Sequence, residues 1–343
     1  MASLEDWGWD ERWAAEFAAG PGRGLLPARV IEEQRGLYQV MTAAGERAAR
    51  LPGRVRRSAA GRADLPAVGD WLATQDVEGE GEAVLAVRHI LPRRSKLSRK
   101  ASGDLLIEQV IASNLDAVFV MTALNADFNA RRLERFLTVS RESGAQPVIL
   151  LNKLDACAQP EPYLEQARAV AAGTPIVALS AVTGRGLESL AEWLKPGRTV
   201  GCIGTSGVGK STLINHLLGT ELMRTAATRS KDERGRHTTT HRQLFLLPGG
   251  GVLLDTPGMR EMQFWDAEQG LKKTFDEIDA LAASCRFKDC RHDAEPGCAV
   301  KAAVEAGTVA AARLASWLKL TDESRKRRIA MQKAQYRRMG PKR

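Results

Sequence analysis

The run Gly204-Thr205-Ser206-Gly207-Val208-Gly209-Lys210-Ser211 has the glycine spacing and terminal Lys-Ser pair of a phosphate-binding loop. Apolar Val200 to Ile203 precedes it, and Thr212 to Leu218 reads as the helix that follows, so the strand–loop–helix context is present. Glycines at this spacing let backbone N–H groups converge on anionic oxygens at a helix N-terminus. Gly204, Thr205, Ser206, Gly207, Val208, Gly209 and Thr212 are therefore expected around the phosphates. Lys210 is expected to supply a cation to the β- and γ-phosphates, and Ser211 a hydroxyl to Mg²⁺.

Two further motifs decide which base such a loop would serve. In Asn152-Lys153-Leu154-Asp155 the Asp155 carboxylate can accept hydrogen bonds from guanine N1 and its 2-amino group, which adenine lacks. A site left with an unpaired buried polar group rejects the wrong base sharply. The Asn152 amide can address the neighbouring base edge and the Lys153 stem can cover the ring. Ser180-Ala181 can bring a backbone N–H to the guanine O6. Asp255-Thr256-Pro257-Gly258 offers a carboxylate to the Mg²⁺ shell and the Gly258 N–H to the γ-phosphate. The order is unusual: the base-reading motifs precede the phosphate loop, which is what a circular permutation produces.

Between the phosphate loop and Asp255 lies Arg234-Gly235-Arg236-His237-Thr238-Thr239-Thr240. A threonine here, Thr239 by preference, can ligate Mg²⁺ only while the γ-phosphate is present, which makes the segment a switch. Met259 stands where many enzymes of this chemistry carry a water-orienting glutamine, so His237 is the internal candidate for that role. Slow hydrolysis with external stimulation is the expectation. The competing reading of His237 is a surface loop histidine.

Cys285-x₄-Cys290-x-His292-x₅-Cys298 offers three thiolates and an imidazole at a spacing that can close a tetrahedral Zn²⁺ site. No coordination position remains open, so one structural zinc is expected. The bland alternative is unlinked buried cysteines, which is how Cys157 and Cys202 are read.

These groups need elements to hold them. Apolar runs at 117–121, 148–151, 176–179, 200–203 and 252–254 suit a sheet buried on both faces, with each nucleotide motif at a strand end. The expected organisation is an N-terminal extension over 1–24, rich in tryptophan, then a β-barrel of OB type over 25–102. An α/β nucleotide domain over 103–265 and a helical metal-binding domain with a basic tail over 266–343 follow. Arg54, Arg56, Arg57, Arg93, Arg94, Lys96, Arg99 and Lys100 stud the barrel, and Arg325 to Arg328, Lys333, Arg337, Arg338, Lys342 and Arg343 stud the tail. With 50 basic against 41 acidic residues the formal charge is +9, which favours a polyanionic partner over a merely solvated surface. The acidic opening Met1 to Asp6 is unlike a signal peptide, and no apolar run approaches the roughly 20 residues of a bilayer span. A cytoplasmic protein with reduced cysteines is expected.

The permuted motifs, together with Leu91-Pro92-Arg93-Arg94-Ser95, Arg236 to Thr240 and the Cys285, Cys290, His292, Cys298 quartet, resemble the RsgA family of small ribosomal subunit biogenesis GTPases. The resemblance spans nearly the whole chain after residue 25. It implies an OB-fold, a permuted GTPase domain and a helical zinc domain. It further implies docking on the 30S subunit late in maturation, contact with 16S rRNA, and GTP hydrolysis stimulated by that subunit, in a protein acting as a monomer. Gly207 stands where some related GTPases carry a potassium-binding asparagine, so potassium dependence is not expected. The alternative of another class is a GTP-gated rRNA-binding checkpoint in which hydrolysis is incidental.

Overall fold

Period-two alternation shapes the first ninety residues. In β2 (Leu37–Thr42) Tyr38, Val40 and Thr42 are buried while their neighbours are half-buried, as a strand with one face on a core requires. A computed structural model of the chain describes residues 2–20, 22–34, 36–77, 84–100, 107–220, 242–255, 265, 267–293 and 295–339, with side chains described as far as residue 333. β1 (Leu26–Gln34), β3 (Gly45–Arg50), β4 (Trp71–Asp76) and β5 (Leu85–Ile90) join β2 in the order β1-β2-β3-β5-β4, and β4 returns to β1. The β3–β5 pairing is parallel and the other four are antiparallel. This is the expected closed OB-type barrel. Sequence patterning did not foresee β3, whose Gly-Glu-Arg-Ala-Ala-Arg composition is poor in strand formers. A tight turn creates it: the Thr42 hydroxyl donates to the Gly45 carbonyl at 2.8 Å and accepts from Ala44 N at 3.1 Å.

The hairpin β6 (Lys96–Lys100) and β7 (Glu108–Ser113) leads out of the barrel, and the boundary expected at 102/103 falls between its strands, outside the described residues. Five apolar runs then become the parallel strands β8 (Ala117–Ala123), β9 (Gln146–Asn152), β10 (Ile176–Ala178), β11 (Thr199–Gly204) and β13 (Val252–Asp255). β12 (Gln243–Leu246), absent from the sequence reading, runs antiparallel beside β13, giving the order β10-β9-β8-β11-β13-β12. One further pairing, Glu32 to Gln243, joins β12 to the barrel strand β1.

Helices cover both faces. α3 (Ala130–Glu142) starts where the Asn129 side chain accepts from Arg132 N at 2.9 Å. It buries Leu133, Phe136, Leu137 and Ser140 at helical spacing. α4 (Glu161–Ala171) and α5 (Lys210–Leu218) are further helices of this domain among the described residues. The C-terminal part is helical as expected: α6 (Glu268–Thr274), α7 (Asp276–Ala282), α8 (Ala299–Glu305) and α9 (Ala311–Met339). No helix of the described residues is long and apolar enough to cross a membrane.

The N-terminal extension contributes to the core. Leu4, Trp7 and Trp13 are buried, and α1 (Glu11–Ala19) is capped by Asp10. The Trp9 ring packs edge-on to Trp71 of β4 at 4.7 Å between centroids. Arg29 of β1, fully buried, donates to the Trp7 carbonyl and to Thr199 Oγ1 at 2.8 Å, pinning extension, barrel and β11 together. Burial lowers its pKa to about 10, against the pull of Asp116 and Asp70.

Three of the eight basic residues expected to face RNA are committed to the fold instead. Arg93 grips Asp70 through two bonds at 2.7 Å and caps the Ala63 and Leu65 carbonyls. Arg94 pairs with Asp10 and lies 3.8 Å over the Trp13 ring. Lys96 pairs with Glu108 at 2.8 Å. Arg54, Arg56 and Arg57, on the short helix α2 (Gly53–Ser58), are exposed.

Candidate functional site

Because β8, β9, β10, β11 and β13 are parallel, their carboxyl ends share one edge, and each nucleotide motif leaves the sheet there. The Gly204–Ser211 loop turns from β11 into α5, whose N-cap Gly209 has φ +101°. A side chain at Gly209 would be strained by that angle and would collide with the Asn152 amide. Lys210 Nζ donates to the Gly204 and Thr205 carbonyls at 2.8 and 2.7 Å, so its ammonium lies along the inside of the loop. Ser211 and Thr212 occupy the first turn of α5, where backbone N–H groups carry the positive end of the helix.

Asn152, at the end of β9, is 2% exposed. Its Nδ2 donates to the Val208 carbonyl at 2.7 Å and its Oδ1 accepts from Ala181 N at 2.9 Å. One side chain thus ties the phosphate loop to the Ser180-Ala181 loop. The sequence reading sent the Asn152 amide to the base edge; in the structure its bonds go to protein groups, leaving one N–H and one lone pair for any ligand.

Lys153 follows in the left-handed region at φ +69°, which turns the chain so that Leu154 N reaches the Leu179 carbonyl at 3.1 Å. A non-glycine residue held at positive φ stores strain, and such positions cluster at ligand sites. Asp155 is exposed, and its carboxylate accepts from the Ser180 hydroxyl at 2.6 Å. That hydroxyl accepts in turn from Thr183 N at 3.1 Å. Ser180 therefore aims the Asp155 carboxylate, a role its dipeptide motif did not disclose.

Asp255 ends β13 opposite Gln243 of β12. Beside it, Cys202 of β11 has its thiol pushed up to about 12, chiefly by burial and then by the Asp255 charge, with Lys210 opposing. The three groups are thus electrostatic neighbours, and Cys202 is an inert core thiol. Thr239 and His237 of the switch lie outside the described residues, as does Gly258.

The second cluster is in the C-terminal part. The ligand atoms of Cys285, Cys290, His292 and Cys298 all lie within 4.8 Å of one another. His292 Nδ1 is 3.5 Å from Cys285 Sγ and 3.3 Å from Cys298 Sγ, and the two sulfurs are 3.9 Å apart. Four donors at Zn–S and Zn–N bond lengths around a tetrahedral ion stand roughly 3.5–3.8 Å apart, so the donor set fits a metal ion. His292 adopts φ +60°, packs against Trp317 at 5.2 Å, and has its pKa lowered by burial, which favours the neutral imidazole that a metal needs. Cys298 caps α8, accepting from Lys301 N.

The C-terminal helices are docked on α3. Arg313 of α9 pairs with Glu134 at 2.7 Å and Glu277 at 2.6 Å, and its guanidinium lies 4.3 Å from the Phe275 ring. Arg135 grips Glu323 with two bonds of 2.9 and 2.5 Å. Gly270 N donates to Glu142 at 2.6 Å, where any larger residue in α6 would strike α3 backbone. None of these ties carries a sequence signature, because each joins residues at least 36 positions apart in the chain.

Known proteins match this arrangement. A family model described as RsgA GTPase covers residues 90–265. A protein of Opitutus terrae named small ribosomal subunit biogenesis GTPase RsgA is 46% identical over 328 residues, covering 94% of this chain and 89% of its own. One of the same name from Methanosarcina acetivorans is 44% identical over 339 residues, covering 97% and 90%. Among solved structures, YjeQ from Thermotoga maritima superposes with a TM-score of 0.65 at 26% identity, covering 88% of this chain and 98% of its own. YloQ, described as a circularly permuted GTPase, gives 0.61 at 25%, covering 88% and 96%. A phosphate-loop motif braced through Asn152 to the Ser180-Ala181 loop, both partners preceding it in the chain, and the extent of these likenesses make this protein a member of the RsgA family of circularly permuted GTPases.

Proposed function

We propose that this chain binds the small ribosomal subunit and assists its late maturation, hydrolysing GTP slowly alone and faster when the subunit stimulates it. The observation that carries the nucleotide half is the Asn152 bridge between Val208 and Ala181, which makes phosphate loop and base loop one rigid site. Gly204 to Ser211, with Thr212, cradle the phosphates, and Lys210 swings from its carbonyl partners to the β- and γ-oxygens. Asp155, aimed by Ser180, reads guanine; Lys153 covers the ring; the Ala181 loop serves O6. Gly258 contacts the γ-phosphate.

Ser211 at the start of α5 and Asp255 at the end of β13 are hard oxygen donors that would suit Mg²⁺, with Thr239 as a further ligand in the GTP state. Bound Mg²⁺ neutralises charge developing on the phosphates. His237 positions the attacking water. The Cys285, Cys290, His292, Cys298 quartet holds one zinc, and elemental analysis of purified protein should return about one equivalent per chain.

The relatives' names supply the small subunit as partner. The barrel arginines Arg54, Arg56 and Arg57 and the basic tail are the groups offered to 16S rRNA. The protein works in the cytoplasm as a monomer. GTP turnover measured with and without purified 30S subunits tests the whole reading. Stimulation is expected, up to the roughly 10³–10⁵-fold scale of trans-acting groups. An unchanged rate would leave a GTP-gated checkpoint, with hydrolysis incidental, as the better account.

A further inference from the structure

We propose that the cleft between the barrel, the β6–β7 hairpin and the start of β12 is a binding site for one backbone phosphate of RNA, held by Arg62, Arg99 and Arg242. It rests on the RNA-binding reading above and names a contact point that none of the sequence motifs marks.

The cleft is lined by Glu33 of β1, Arg62, Leu65 to Ala67, Gln109 and Val110 of β7, and Arg242. Its void of about 30 Å³ has room for roughly two water-sized groups. Arg99 reaches the same wall, donating to Gln109 Oε1 at 3.2 Å. Three chain segments distant in sequence thus bring three guanidinium groups to one place. Among the described residues none of the three is ion-paired, and Glu33 is the single carboxylate in the lining.

The electrostatics show the imbalance. Arg242 is pressed toward losing its proton by burial first and then by Arg99; Glu33 opposes this, and Arg62 adds to it. An anion in the cleft would relieve that crowding. Guanidinium groups fit it better than lysines would, because their planar donor forks match phosphate oxygens. A peptide carboxylate would meet the same donors but leave no reason for the wider basic surface of the barrel, with Arg54, Arg56 and Arg57 exposed on α2.

The site is also placed to matter for the nucleotide. Arg242 immediately precedes Gln243, which is in register with Glu32 of the barrel on one side and Asp255 on the other. A phosphate held there lies one strand away from the carboxylate assigned to Mg²⁺.

The test is binding of the full-length protein to in vitro transcribed 16S rRNA across a salt series. Arg62→Gln/Arg242→Gln is compared with the control Arg88→Gln, which removes one charge outside the cleft, at a residue bonded to Gln75. Loss of one phosphate contact should flatten the slope of log K against log salt by about 0.7–0.9 in the double variant. The control should keep the wild-type slope. Glu33→Gln, which removes the competing anion, should tighten binding by about 2–5-fold. GTP affinity and melting temperature should be retained by all the variants. A double variant with the wild-type slope, or one matched by Arg88→Gln, overturns the site. Wild-type protein that binds no RNA at any salt would instead overturn the RNA-binding reading on which the site rests.

Discussion

At the scale of single residues, the nucleotide site separates groups that brace from groups that touch ligand. Asn152 is a buried brace, and Asn152→Ala would strand the Val208 carbonyl and the Ala181 N–H. Each unsatisfied group costs about 1–3 kcal/mol, so both melting temperature and GTP affinity should fall. Asp155 is exposed and bonded to a single hydroxyl, so Asp155→Asn should leave melting nearly unchanged. On the proposed reading it replaces the acceptor for guanine with a donor, and GTP affinity should drop by about 10²-fold or more. Thermal melts paired with fluorescent-nucleotide titration separate the two. If Asn152→Ala melts like wild type, the brace has been misassigned.

At the scale of elements, the N-terminal extension is a wedge between the barrel and the nucleotide domain. Deleting residues 2–20 removes Leu4, Trp7 and Trp13 from the core and the Trp9 ring from Trp71. At about 1.5–3 kcal/mol per large apolar side chain, an upper estimate, the melting temperature should fall clearly while GTP still binds. A truncated protein with unchanged melting would show the wedge to be dispensable. The Asp10–Arg94 pair in this element has a pH signature. Its hydrogen bond to Arg94 holds the Asp10 carboxyl below the usual carboxylate range. Because the folded-state value is the lower one, the stabilisation is present at neutral pH. It disappears as pH falls from the ordinary carboxylate value through the folded one. The melting difference between wild type and Asp10→Asn should therefore shrink in acid; it will be small at any pH because both side chains are partly exposed.

At the scale of the whole molecule, α3 is the platform on which the C-terminal part is docked. Arg313→Met would leave Glu134, 2% exposed, as a buried carboxylate without its cation. That should cost about 3–5 kcal/mol, with partial recovery in the Glu134→Leu double variant. Limited proteolysis would report the loosened helices, and resistance equal to wild type would count against the docking role. The same geometry refines where the basic tail begins. Arg325 and Lys326 share Asp322, Arg328 pairs with Glu268, Ser324 is buried, and Glu323 holds Arg135. Removing residues 322–343 should therefore lower both stability and RNA affinity. Removing 333–343 should flatten the salt dependence of RNA binding while melting stays near wild type. A flat response of RNA binding to both truncations would remove the tail from the interface.

Much of the site was legible because nucleotide chemistry imposes local spacing. Backbone N–H groups converge readily on a phosphate at a glycine-rich turn between strand and helix, and here the four clustered donors fall between Cys285 and Cys298. The sequence by itself therefore determined the phosphate-loop motif, the cluster of four metal-type donors and the permuted order, and the continuous apolar runs announced five strands of one sheet. Tertiary structure alone decided how these parts hold each other. Asn152 became a brace because β9 ends beside the phosphate loop, 56 residues further along the chain. Arg93 and Arg94 turned inward because Asp70, Asp10 and Trp13 happen to meet them. β3 and β12 exist because a turn and a neighbouring strand complete their hydrogen bonds. The Arg62, Arg99 and Arg242 cleft joins segments that no sequence window spans together. Charge and hydrogen-bonding capacity are properties of a residue, but whether they face ligand or protein depends on what folding brings within about 3 Å.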